Sequence, residues 1–206
     1  MVFAMESNKN GIDLAREIVF EVDKKVERAF WTNEEIDKYF AKRSAIEILK
    51  NGKTGFMNPC LDLTLVSASI MSSRDIPYFF VIEEHLPTPN FNFNRLHFAL
   101  EFQSRNQQYF LNYKKDNEVH IGKGIYEGRK DIPSSPIIRI PGDIINPYRP
   151  LCKSLGYDTL DDLLKDKFND YSLESNMNRL KQDNYKENFT AHKRECGERF
   201  KIILKP

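Results

Sequence analysis

Three residues carry the types of side chain that cysteine acyl-transfer chemistry needs: Cys60 in "MNPCLDLTLVSASIMSS", His97 in "RLHFALEFQ" and Asn112 in "QQYFLNYK". A thiol can attack a carbonyl, an imidazole can take and return the proton, and a carboxamide can hold the imidazole in place. Asn58 is a favoured N-cap and Pro59 a preferred first helical residue, so Cys60 falls at the second helical position. The unpaired N–H groups and the positive dipole end there favour thiolate, and the N–H of Cys60 can donate to an oxyanion. Alone, a cysteine at a helix start is a small apolar residue, and a strand histidine is an interfacial polar one. The chemistry depends on elements that bring the three together.

The helix that starts at Pro59 is apolar nearly all round. Leu61, Leu65 and Ala68 line one side and Leu63, Val66, Ile70 and Met71 another, with small polar residues Thr64, Ser67 and Ser69 between, which is the pattern of a buried core helix. Four strand-like runs follow: "YFFVIEE", "RLHFALEFQ", "QQYFLNYK" and "EVHIGKGIY". In the second run Leu96, Phe98, Leu100 and Phe102 point one way, and His97, Ala99, Glu101 and Gln103 the other. A turn centred on Arg105-Asn106 pairs Gln103 with Gln108 and sets Ala99 opposite Asn112. That makes Asn112 the diagonal neighbour of His97 on one sheet face, whereas an odd loop would send it to the other. Glu101, on the same face, is the alternative third member. Of the three cysteines, Cys60 is expected to be the reactive one.

Elsewhere the chain reads as helical additions. Residues 11–30 repeat apolar positions at helical spacing (Ile12, Ala15, Val19, Val22, Val26, Phe30). "TNEE" at 32–35 is a capping box for a helix that runs to about Lys50 and ends at Asn51-Gly52. Residues 132–150 are Pro-rich and extended, with an edge strand at Ile137–Ile140. Asp158 is the expected N-cap of a short helix, a long polar helix spans 172–196, and "RFKIILKP" closes the chain as a strand.

Over roughly Thr54 to Tyr126, about a third of the chain, this order resembles the transglutaminase-like branch of the papain-like cysteine protease superfamily. There the nucleophilic Cys starts a buried helix, a "GIP"-like turn leads into a strand, and a His and an Asp follow on successive strands. Here Cys60 starts the helix, "RDIPYFFV" stands at the turn, His97 lies in "LHFALEF", and Asn112 follows 15 residues later. The sequence departs from the pattern at Asn112 in place of Asp, Asp75 before Ile-Pro in place of Gly, and Phe98 in place of an aromatic Trp. An Asn can fix the ring through its amide oxygen but adds no charge to stabilise imidazolium, a loss that a preformed Cys60–His97 ion pair would offset.

The resemblance implies an α+β fold with a papain-like, transglutaminase-like core: a buried N-terminal Cys helix packed on an antiparallel sheet, with extra N- and C-terminal helices. One domain spans 1–206, with the core at about 54–126, a helical N-terminal part at 11–51, and a Pro-rich wrap with a C-terminal helical extension at 132–206. It implies a Cys60–His97–Asn112 triad acting on an amide or ester, as a thiol protease, amidase or transglutaminase-type acyltransferase. The substrate and the choice between hydrolysis and transfer stay open, and the second oxyanion donor is not assigned. The alternative is a non-catalytic interaction module of the same fold.

The totals bound the partners. With 31 basic and 30 acidic residues the net charge is +1, which gives no electrostatic reason to expect nucleic acid or an anionic membrane. No apolar run approaches the roughly 18–20 residues of a membrane span, and "MVFAMESNKNG" does not read as a secretory signal. Three cysteines at wide spacing, Cys60, Cys152 and Cys196, fit reduced thiols and a cytoplasmic setting. His192 and Cys196, at i and i+4, could join Cys152 on a metal, but two ligands on one helix are common by chance, so no metal and no cofactor are expected. The expected partners are a peptide, protein or small amide substrate and a protein docking on the C-terminal helices.

Overall fold

The structure, a computed structural model, describes residues 9–39, 42–55, 59–86, 95–114, 117–128, 130, 133–134, 136–142, 152, 156–159, 162 and 200–205. It is α+β, as expected. Its elements are α1 (Gly11–Lys25), β1 (Glu27–Ala29), α2 (Asn33–Tyr39), α3 (Ala45–Asn51), β2 (Lys53–Gly55), α4 (Pro59–Ser73), β3 (Tyr78–His85), β4 (Arg95–Ser104), β5 (Gln107–Tyr113), β6 (Glu118–Lys123), β7 (Ile138–Pro141) and β8 (Lys201–Lys205).

Six strands form one sheet in the order β7-β3-β4-β5-β6-β8. Its two edges are β7, one residue on from the expected Ile137–Ile140 strand, and β8, within the expected C-terminal strand. The sheet is mixed rather than antiparallel, because β8 pairs parallel to β6. The β4–β5 hairpin has the expected register, Gln103 opposite Gln108. Its two-residue turn puts Arg105 and Asn106 at φ 49° and 58°, the paired positive φ of the tight turn that matches strand twist.

The buried helix is α4. Leu61, Leu63, Leu65, Val66, Ala68, Ile70 and Met71 are all buried, and so are Thr64 and Ser67. The small polar side chains bind neighbouring elements: Ser67 shares a 2.7 Å hydrogen bond with the Tyr113 hydroxyl, and Thr64 donates to the Phe98 carbonyl at 3.4 Å. The main core lies between α1 and α4 on one side and the Phe80, Ile82, Phe98, Leu100, Phe102 and Leu111 face of the sheet on the other. Val81 and Ala99, on the opposite face, pack with Tyr126, Phe110 and Ile137.

Two helix boundaries differ from expectation. The first helix stops at Lys25; Val26 is extended, and 27–29 pair in parallel with 53–55. A partner strand distant in sequence overrides the local helical period. The helix expected over 33–50 is two helices. Thr32 and Glu35 do form the first capping box, through Glu35 N–H to Thr32 Oγ1 at 3.2 Å and Thr32 N–H to Glu35 Oε2 at 2.8 Å. Ser44 and Glu47 form a second box, which starts α3. Beside the expected Asp158 cap, Thr159 Oγ1 accepts from the Asp162 N–H at 3.1 Å, and most of the short helix expected there lies outside the described residues. Asn58, the 172–196 helix, His192 and Cys196 lie outside the described residues. No helix among the described residues is long and apolar enough to cross a membrane.

Candidate functional site

Cys60 occupies the second position of α4, half-buried. The first turns of that helix are held from behind by a buried ion pair. Arg43 Nη2 binds Asp62 Oδ2, Thr54 donates to the same oxygen at 2.8 Å, and Arg43 Nη1 donates to the Lys53 carbonyl at 2.8 Å. The guanidinium stacks over Trp31 and Tyr39, at 4.9 and 5.0 Å from the ring centroids. Residues from α2 to β2 thus fix the turn that presents the thiol.

The hairpin ladder runs from Ser104–Gln107 to Leu100–Leu111. Beyond it α4 engages β4 instead: Thr64 binds the Phe98 carbonyl, and the Phe98 N–H donates to the Cys60 sulfur, as does the Leu61 N–H. The thiol therefore sits against the backbone of the residue after His97, where β4 turns from β5 to α4. At the same level His97 Nε2 lies 2.7 Å from Asn112 Oδ1. An amide oxygen only accepts, so Nε2 carries the proton and Nδ1 is the basic nitrogen of neutral His97.

Burial dominates the electrostatics. It pushes the Cys60 thiol up, against the Phe98 and Leu61 N–H groups and the Arg28 guanidinium, which favour thiolate. It also holds the His97 imidazole down at about 3, assisted by the Lys114 cation; the bond to Asn112 and the nearby Glu83 act in the other direction. Two expectations are thereby corrected. The helix start does not lower the thiol's pKa, because loss of water outweighs the N–H groups that favour thiolate, and burial favours the neutral form of both Cys60 and His97 rather than the charged forms a preformed ion pair needs.

His97 makes stability pH-dependent. Its proton affinity is lower in the folded than in the unfolded chain, where imidazole titrates near 6.5. The unfolded chain thus takes up a proton that the folded chain refuses, and the stability present above pH 6.5 is lost as pH falls toward 3. Urea unfolding at pH 7 and pH 4 should show wild type losing about 3 kcal/mol more than His97→Gln. Equal losses would contradict the depressed proton affinity of the half-buried imidazole.

Sequence reasoning missed a polar cluster on the His97 face. Glu83 and His85 on β3 and Glu101 on β4 are buried. Glu101 is not available as a third member: Arg139 binds it through Nε and Nη2, both at 2.9 Å, and the Tyr126 N–H donates to it at 2.8 Å. The signal that could have found Glu83 and His85 was their two-residue spacing at the end of a strand, read against the position of His97. Cys152, the other described cysteine, is a buried free thiol that burial also pushes up. Among the described residues, no group of three or more His, Cys, Asp or Glu side chains could hold a metal ion. Compared with protein-family models, curated proteins and solved structures, the chain matches none.

Proposed function

We propose that this chain is a cysteine-dependent acyl-transfer enzyme acting on an amide or ester, with Cys60 as nucleophile, His97 as base and Asn112 as the group that orients it. On this reading the finer fold is papain-like, of the transglutaminase-like type, and the setting is cytoplasmic. The observation that carries the reading is the 2.7 Å His97–Asn112 bond at the level where the Cys60 thiol meets the Phe98 backbone.

Because both groups rest neutral, the thiol loses its proton as it attacks. Nδ1 of His97 takes the proton, the sulfur bonds to the carbonyl carbon, and the oxyanion accepts from the Cys60 N–H. His97 then gives the proton to the leaving amine or alkoxide, leaving a thioester. Water or an acceptor amine, deprotonated by His97, attacks the thioester, and the proton passes back to the sulfur. Hydrolysis or transfer follows from which acceptor reaches the site.

A second reading, an interaction module retaining the fold without chemistry, is favoured by one observation: burial disfavours both thiolate and imidazolium. An activated ester discriminates the two. p-Nitrophenyl acetate should acylate Cys60 with release of nitrophenolate, and a module would give no such release above the background of free thiol.

Asn112 provides a graded test. Asn112→Ala removes the acceptor that fixes the ring, and should slow Cys60 acylation about 100-fold, the scale of a misplaced catalytic group. Asn112→Asp keeps an oxygen there and adds a charge, so the rate should hold while the pH profile shifts toward a more basic His97. Identical profiles for Ala and wild type would remove Asn112 from the mechanism.

A further inference from the structure

The buried cluster that Tyr126 and Gly128 pack against faces the same imidazole. Glu83 has no exposed surface (0%), and the β3–β4 register sets it directly opposite His97. Directly opposed residues project from one sheet face with Cβ atoms about 5 Å apart. Its carboxylate accepts from the Tyr126 hydroxyl at 3.0 Å and meets His85 Nε2 at 3.1 Å. The His85 ring stacks on His97, centroids 5.6 Å apart and planes 17° apart, and Tyr126 lies 6.2 Å from His97. Gly128, at φ +80°, passes so close over the carboxylate that a Cβ there would meet Glu83 Oε1 at 2.7 Å. Only glycine takes that conformation at that approach without strain.

Other charged groups lie on this face. Glu101 is held by Arg139 through two bonds. Lys114, at the end of β5, opposes a proton on His97, as does His85, whereas Glu83 favours it. Asn112 holds the ring without charge.

We infer that Glu83 is a positioning residue that supplies, across the β3–β4 pair, the negative charge that Asn112 does not, and so favours the His97 imidazolium formed when Cys60 gives up its proton. This rests on the acyl-transfer reading. For a charge on a directly opposed cross-strand residue in a partly screened interior, the expected change in proton affinity is about tenfold.

Glu83→Gln tests it, because the amide keeps an oxygen for Tyr126 and His85 and loses the charge. Acylation of Cys60 by p-nitrophenyl acetate would be followed by nitrophenolate release from pH 5 to 9, with circular dichroism as the check on folding. The rate at pH 7 should fall about tenfold, and Glu83→Asp should restore part of it. Tyr126→Phe is the second variant. It leaves the carboxylate but removes a donor, which raises its proton affinity and should move the acid limb of the profile to higher pH. Should Glu83→Gln fail to fold, an unchanged Tyr126→Phe profile would overturn the inference. Equal profiles in wild type and a folded Glu83→Gln, with Cys60 acylated in both, would also overturn it and leave the acyl-transfer reading standing. No acylation of Cys60 in wild type would overturn both.

Discussion

His97→Ala is expected to slow acylation of Cys60 by p-nitrophenyl acetate by about 10²–10⁴-fold, the range that one positioned proton acceptor contributes. The effect is large because the thiol has no other route to a thiolate at neutral pH. Burial pushes the thiol up, and the two N–H groups that meet the sulfur only partly oppose this. With a preformed ion pair, loss of the imidazole would mainly raise the thiol's pKa, and the variant would recover at high pH. With a neutral pair the proton must leave during attack, so the loss persists across the profile until hydroxide itself deprotonates the sulfur. Nitrophenolate release against pH, in wild type and His97→Ala, reads this directly. A variant within threefold of wild type at pH 7 would remove His97 from the chemistry.

The second large effect concerns the clamp behind the nucleophile. Arg43 and Asp62 are both buried, and their ion pair is closed by Thr54 and the Lys53 carbonyl. Removing one partner strands the other in the interior, at a cost of about 3–5 kcal/mol. Asp62→Ala and Arg43→Ala should each lower the thermal midpoint by on the order of 10 °C in a chain of this size. The double replacement Arg43→Met with Asp62→Leu leaves no orphaned charge and should recover most of the loss. A single variant as stable as wild type would show that the pair contributes nothing. Because Asp62 lies two residues after Cys60, the single variants should also slow acylation, by loosening the first turns of α4.

Much of this architecture was legible in local patterns. The alternation in "RLHFALEFQ" and an even hairpin loop set the face of His97 and the register that brings Asn112 to it. The run after Pro59, apolar on every side, identified a core helix. What was hidden depends on pairing between distant residues. Val26 and β1 follow a helical period until β2 offers a parallel partner. The break between α2 and α3 is set by the Ser44 capping box, with Arg43, the residue before it, turned inward onto Asp62. Glu83 and His85 end a strand whose two faces are both covered, so charged letters there read as solvated although both are buried. The direction of the Cys60 pKa was misread for a related reason. The dipole is a property of the helix and visible in its first residues, whereas desolvation belongs to the sheet packed against it.

The most direct test is to identify the residue that carries the acyl group. Wild-type protein is treated briefly with p-nitrophenyl acetate, quenched in acid to preserve the thioester, digested and mapped by mass spectrometry. The account predicts one acetyl group on the peptide containing Cys60, formed in step with nitrophenolate release, absent from the peptides of Cys152 and Cys196, and lost in Cys60→Ser. Acetylation mainly at Cys152, Cys196 or lysines, or at an equal rate in Cys60→Ser, would contradict it.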